Sequence, residues 1–129
     1  MSIQVSIVTP EKTTLDQSVE SVTVTLLDGE AGILAGHAPM IGRLAPGELR
    51  IQDKGKTLRY YVDGGFVQVV NNSVSVLTGH SVPAEMINLA AAKKLLDETI
   101  INPSDKEEVV EAKNRTLAQA RAQIRIAGG

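Results

Sequence analysis

Apolar and polar residues alternate with period two through residues 1–82. Ile3, Val5 and Ile7 point one way and Gln4, Ser6 and Val8 the other. Val22, Val24 and Leu26 alternate with Ser21, Thr23 and Thr25; Leu58, Tyr60 and Val62 with Arg59 and Tyr61; Val74 and Val76 with Ser73 and Ser75. Such alternation predicts half-buried antiparallel strands. Turn formers punctuate it. Asp53-Lys54-Gly55 separates Leu49–Gln52 from Thr57–Asp63, and Asn71-Asn72 sits between two valine-rich runs. Asparagine tolerates the positive φ of a tight hairpin. Gly64-Gly65 marks a bend. Many short strands at this spacing predict a β-sandwich or a flattened barrel.

After Pro83 the period lengthens. Leu89, Ala92, Leu96 and Ile100 fall on one helical face, with Asn88 placed as its N-cap. Asn102-Pro103 ends this helix, because proline disfavours the α conformation in the residue before it. Ser104 and Glu107 have capping-box spacing. A second helix is expected from about Asp105 to Ile126, with Val110, Leu117, Ala120 and Ile124 as its stripe. Acidic residues crowd its start and Arg121 and Arg125 its end, as the helix dipole prefers. The expected organisation is therefore a β-domain over residues 1–83 and a two-helix antiparallel hairpin over 84–129.

The hairpin's apolar stripe is narrow and alanine-rich. Docked on the β-domain it would contribute only a few kcal/mol at roughly 25 cal/mol per Å², so the arm is expected to be detachable. Arg121 and Arg125 are like charges at i and i+4, mildly unfavourable in an isolated helix. They read either as a solvated helix end that complements the dipole or as a pair awaiting an acidic partner.

Composition narrows the function. The 129 residues carry a net charge of −2, one Phe, two Tyr and no Trp. That offers neither a general pull toward nucleic acid nor stacking platforms for bases. Cysteine is absent, which removes disulfides and thiolate metal sites and fits a reducing compartment. No signal-like start and no apolar run of membrane-spanning length is present. The protein is expected to be soluble, without direct membrane insertion.

The segment Asp28–Met40, DGEAGILAGHAPM, concentrates three glycines, a proline, two carboxylates and His37. It reads as an ordered loop with a task. Catalysis finds little support there. The glycines do not open a helix after a strand, so no phosphate-cradling motif exists. His37 and His80 have no thiolate or third imidazole to build a zinc site with. A triad from His37, Asp63 and a serine lacks a nucleophile elbow. Asp28 suits an Asx-type turn. The residues alone describe a non-catalytic adaptor with no metal and no cofactor. A stand-alone protein-interaction module with a helical tail is the alternative, and a small hydrolase using His37 a third reading.

Gly29–Pro39 (GEAGILAGHAP), the opening VSIVTPEKTTLDQSVESVTV, Gly64-Gly65-Phe66 followed by Val67–Leu77, and the terminal hairpin together resemble the ε subunits of F-type ATP synthases (δ in mitochondrial naming). The resemblance spans essentially the whole chain. It implies a non-catalytic central-stalk subunit, bound to the γ subunit and the c-ring, peripheral on the cytoplasmic face of a bacterial inner membrane and not a stable homo-oligomer. It places Glu30, His37 and Pro39 at a contact surface with γ and the c-ring. It also implies an arm that extends along γ to the catalytic α and β subunits and inhibits ATP hydrolysis, with Arg121 and Arg125 meeting an acidic segment there. Some relatives bind ATP on the folded arm through I-D-x-x-R-A. The matching stretch here begins Ile87-Asn88 and puts Ala91 where the arginine stands, which keeps helix capping but removes a guanidinium. Weak or no ATP binding is expected.

Overall fold

The computed structural model describes residues 2–128. The strands are β1 (Ile3–Val8), β2 (Thr13–Val19), β3 (Ser21–Leu26), β4 (Gly29–Leu34), β5 (Met40–Asp53), β6 (Lys56–Val70), β7 (Ser73–Leu77) and β8 (Ser81–Pro83). A short 3-10 turn, Ala84–Met86, leads to helices α1 (Leu89–Glu98) and α2 (Glu107–Gly128).

The strands form one folded-over sheet in the order β2-β1-β7-β6-β5-β3-β4, with β8 also on β6. β5 and β6 are long enough to serve both layers. Met40–Leu44 and Gly65–Val70 run beside β7, β1 and β2; the distal halves run with β3, β4 and β8. The core lies between, built by Ile3, Val5, Ile7, Val67, Val69 and Val76 from one layer and Val22, Val24, Ile33, Leu49, Ile51 and Val62 from the other. These are the inward positions of the period-two pattern. The sheet does not close: β2 and β4 are its edges, so the fold is an open sandwich and not a barrel.

Hairpin chemistry sets the register. Lys54 and Gly55 both have positive φ, as do Asn71 and Asn72, the backbone of two-residue primed turns. Gly65 lies where β6 bends, at φ +112°, and a Cβ there would collide with the Leu77 carbonyl. β7 and β8 pair with β6 in a single register, so residues 78–80 interrupt what is otherwise one strand. Buried Thr78 bridges the gap: its hydroxyl accepts from Asp63 N at 3.2 Å and donates to the His80 carbonyl at 3.2 Å.

Three readings are corrected. The segment 28–40 is not all loop: Gly29–Leu34 forms strand β4, pairing Val24 with Ala31 and Val22 with Ile33. The glycines masked a period-two pattern whose only large inward residue is Ile33. The Ser104–Glu107 box does not form. The Asp105 carboxylate instead accepts from Asn102 N at 2.8 Å and from Lys113 Nζ at 2.7 Å, closing the inter-helix turn with a charged pair. α1 ends at Glu98, leaving Ile100 outside it and exposed. Asn88 does cap α1, its side chain accepting from Ala91 N at 3.0 Å.

Candidate functional site

Two surfaces hold the residues of interest. The first is one end of the sandwich, where the chain leaves β4. His37 N donates to the Leu34 carbonyl at 3.1 Å, with Gly36 at φ +85° in the third position of the turn. That is the backbone of a type II turn, which needs glycine there. Gly36 N donates to the Asn72 side-chain oxygen at 2.7 Å, so the turn is tied to the β6–β7 hairpin. His37 Nδ1 pairs with the Ala38 carbonyl at 2.7 Å. His37 is half-buried and Pro39 exposed. The result is a loop braced by backbone and side-chain hydrogen bonds. Asp63, the imagined triad partner, is occupied by the Tyr61 hydroxyl at 3.0 Å. Among the described residues no three His, Cys, Asp or Glu side chains converge as metal ligands.

The second surface is the outer face of β5 and β6, where α2 lies. Glu48, Arg50, Arg59 and Tyr61 are the outward positions of the alternation. Tyr61 is only 1% exposed because Ala122 and Ile126 of α2 cover it, with Ala84 and Ile87 alongside. Burial pushes the Tyr61 hydroxyl well above its ordinary range; the nearby Asp63 charge and hydrogen bond add to this, while a Gln123 hydrogen bond opposes it. Ala122 and Ile126 form a second buried stripe on α2, on the far side from Ala120, which is also buried. α2 is therefore covered on two sides, by α1 and by the sheet. Sequence reasoning found only the first stripe, because alanine at one position and isoleucine near the chain end make a faint periodic signal.

A charged ladder runs along this face. Arg50 Nη2 donates to Glu30 at 2.8 Å; Arg50 Nε lies 3.5 Å from Glu48; Arg59 Nη2 lies 2.6 Å from Glu48. Arg59 Nη2 also donates to the Ile126 carbonyl at 2.9 Å. Glu30, Arg50, Arg59 and Arg125 surround one polar recess of about 430 Å³.

The expected site residues are thus distributed differently from their sequence grouping. Glu30 stands at the start of β4, after Gly29, and His37 follows its end, so the strand holds them apart. Glu30 instead shares the recess with Arg125 of the docked arm. Arg121 and Arg125 are exposed and make no ion pair among the described residues. Asn88 caps α1 and Ala91 lies in its first turn. Arg59 and Tyr61, which secure the arm, were visible only as outward residues of a strand.

Residues 2–84 match the family model described as ATP synthase, Delta/Epsilon chain, beta-sandwich domain. The chain is 43% identical to the ATP synthase epsilon chain of Rhodopirellula baltica, over 97% of this chain and 98% of that one. It is 40% identical to the ATP synthase epsilon chain of a Synechococcus species, over 98% and 92%. Among solved structures, a chain in the Euglena gracilis mitochondrial ATP synthase, OSCP/F1/c-ring in rotational state 1, superposes with a TM-score of 0.84 at 29% identity, over 94% of this chain and 78% of that one.

Proposed function

The chain belongs to the ATP synthase delta/epsilon-chain family, a component of that complex other than its catalytic subunit, and from this premise we propose that it is a central-stalk rotor subunit whose helical arm restrains ATP hydrolysis. The β-sandwich is the part that binds γ and rests on the c-ring, with the braced loop carrying His37 and Pro39 in that contact. No described helix is long and apolar enough to cross a membrane, so attachment to the cytoplasmic face of a bacterial inner membrane runs through these partners. Glu30, which pairs with Arg50, is a further residue of that contact.

The observation that carries the regulatory reading is the way α2 is held: one alanine and one isoleucine over one tyrosine, few polar contacts, and two arginines that make no ion pair among the described residues. The arm has a docked form that covers Tyr61 and an extended form that offers Arg121 and Arg125 to an acidic segment of the catalytic subunits. Truncation after Pro83 in the assembled complex is expected to raise ATP hydrolysis while assembly persists; unchanged hydrolysis would end the inhibitory reading. With Ala91 at the arginine position, isolated protein is expected to bind ATP weakly or not at all, and a tight, saturable titration would show otherwise.

A further inference from the structure

Arg50 and Arg59 stand directly opposite each other on β5 and β6, an unfavourable like-charge pair unless each finds an anion. Arg50 turns to Glu30 and only grazes Glu48. Glu48 is left to Arg59, which meets the same oxygen, Oε2, with Nε at 2.7 Å and Nη2 at 2.6 Å. That side-on grip fixes the guanidinium plane and leaves a second Nη2 proton free. It is spent on the Ile126 carbonyl. Ile126 lies in the last turn of α2, whose carbonyls have no partner within the helix and carry the negative end of its dipole.

We propose that Arg59 is the latch of the docked arm: held in orientation by Glu48, it caps the Ile126 carbonyl in the last turn of α2, and loss of this one side chain frees the last turns of the helix while the sandwich stays intact. Lysine cannot replace it, because a single ammonium on a flexible stem does not grip Glu48 side-on and reach Ile126 from a fixed plane. Arg59 and Glu48 are both partly open to solvent, so the latch weakens as salt rises.

The test is hydrogen exchange on the full isolated chain. Arg59→Met keeps the apolar stem and removes the donors. Amides of residues 120–126 are expected to exchange about tenfold faster than in the parent, as loss of a charge-assisted hydrogen bond implies, with β3, β5 and β6 amides unchanged. Arg59→Lys and Glu48→Gln fall between. Salt speeds exchange in the parent and not in Arg59→Met. Unchanged exchange in α2, or equal loss of protection across the sheet, would overturn the latch. The link to regulation rests on the function proposed above and is read separately, as ATP hydrolysis by complex assembled with Arg59→Met. If α2 is released in the isolated chain and hydrolysis does not fall, the inhibitory role fails and the latch stands.

Discussion

Asn72 accepts a 2.7 Å hydrogen bond from the backbone nitrogen of Gly36, joining the turn before His37 to a hairpin that is distant in sequence. Asn72 sits at φ +61°, so Asn72→Gly keeps the hairpin backbone while removing the tie. The expected cost is about 1 kcal/mol of stability, with faster amide exchange confined to residues 35–39. If this loop contacts the rotor, binding to γ weakens as well. A loop that stays protected in Asn72→Gly would show that the turn chemistry alone orders it.

Gly65→Ala is expected to be among the most damaging single substitutions. The position combines positive φ with a Cβ path blocked by the Leu77 backbone, which cannot step aside without breaking the β6–β7 ladder. A loss of about 3 kcal/mol or more is expected from strain and overpacking together. Thermal unfolding measures it, and a midpoint within a degree or two of the parent would refute the close approach.

Ile126→Ala removes the largest α2 side chain over Tyr61. Large-to-small changes at buried sites cost about 2–4 kcal/mol. Here that cost falls on docking of the arm and not on the sandwich, whose core is a separate cluster. Loss of α2 protection with an unchanged β-domain unfolding transition is the expected pattern. Simultaneous loss of both would mean the two are one cooperative unit.

Tyr61 makes docking sensitive to alkali. Its hydroxyl is protonated in the folded chain well above the ordinary range. The stability conferred by its burial is therefore complete below about pH 10, the unfolded value, and is lost as pH rises toward the higher folded value. Tyr60→Phe leaves Tyr61 as the sole tyrosine of the chain, so ultraviolet titration reads it alone. Ionisation is expected late and together with arm release; adding Ile126→Ala moves it back toward the ordinary value. Ionisation near pH 10 with the arm still docked would contradict the burial argument.

Acid acts on the opposite end of the hairpin. The hydrogen bond from Lys113, helped by the Asn102 backbone, holds the Asp105 carboxyl below its usual value. A lowered carboxylate contributes stability above its unfolded pKa of about 3.9 and loses it as pH falls through the folded value. Protection of the amides in residues 100–106, corrected for the intrinsic slowing of exchange in acid, is expected to fall below pH 4 in the parent. In Asp105→Asn that protection is expected to be low already at neutral pH. Identical behaviour of the two chains would show that the Lys113 contact does not order the turn.

Much of the fold was legible because local sequence and final environment agree. Inward residues of β1, β3, β6 and β7 could be named from alternation, and Asn88 from capping chemistry, since each depends on neighbours within a few positions. β4 was obscured where glycines erased the alternation. The Ser104 box failed because Asp105, a stronger acceptor with Lys113 in reach, took the turn instead. The candidate site was less legible. His37 could be recognised as part of a shaped loop, but not its bracing through Asn72. Glu30 could be singled out, but not its place beside Arg125.

What the sequence by itself determined is the list of elements, their order and the inward face of each strand, since periodicity and turn chemistry act over short separations. Only the tertiary structure decided which outward residues would be buried. Tyr61 and Arg59 look like any exposed strand positions until α2, more than sixty residues later, is laid across them. Burial there comes from a contact between distant segments, worth only a few kcal/mol, and no local pattern in either segment encodes it.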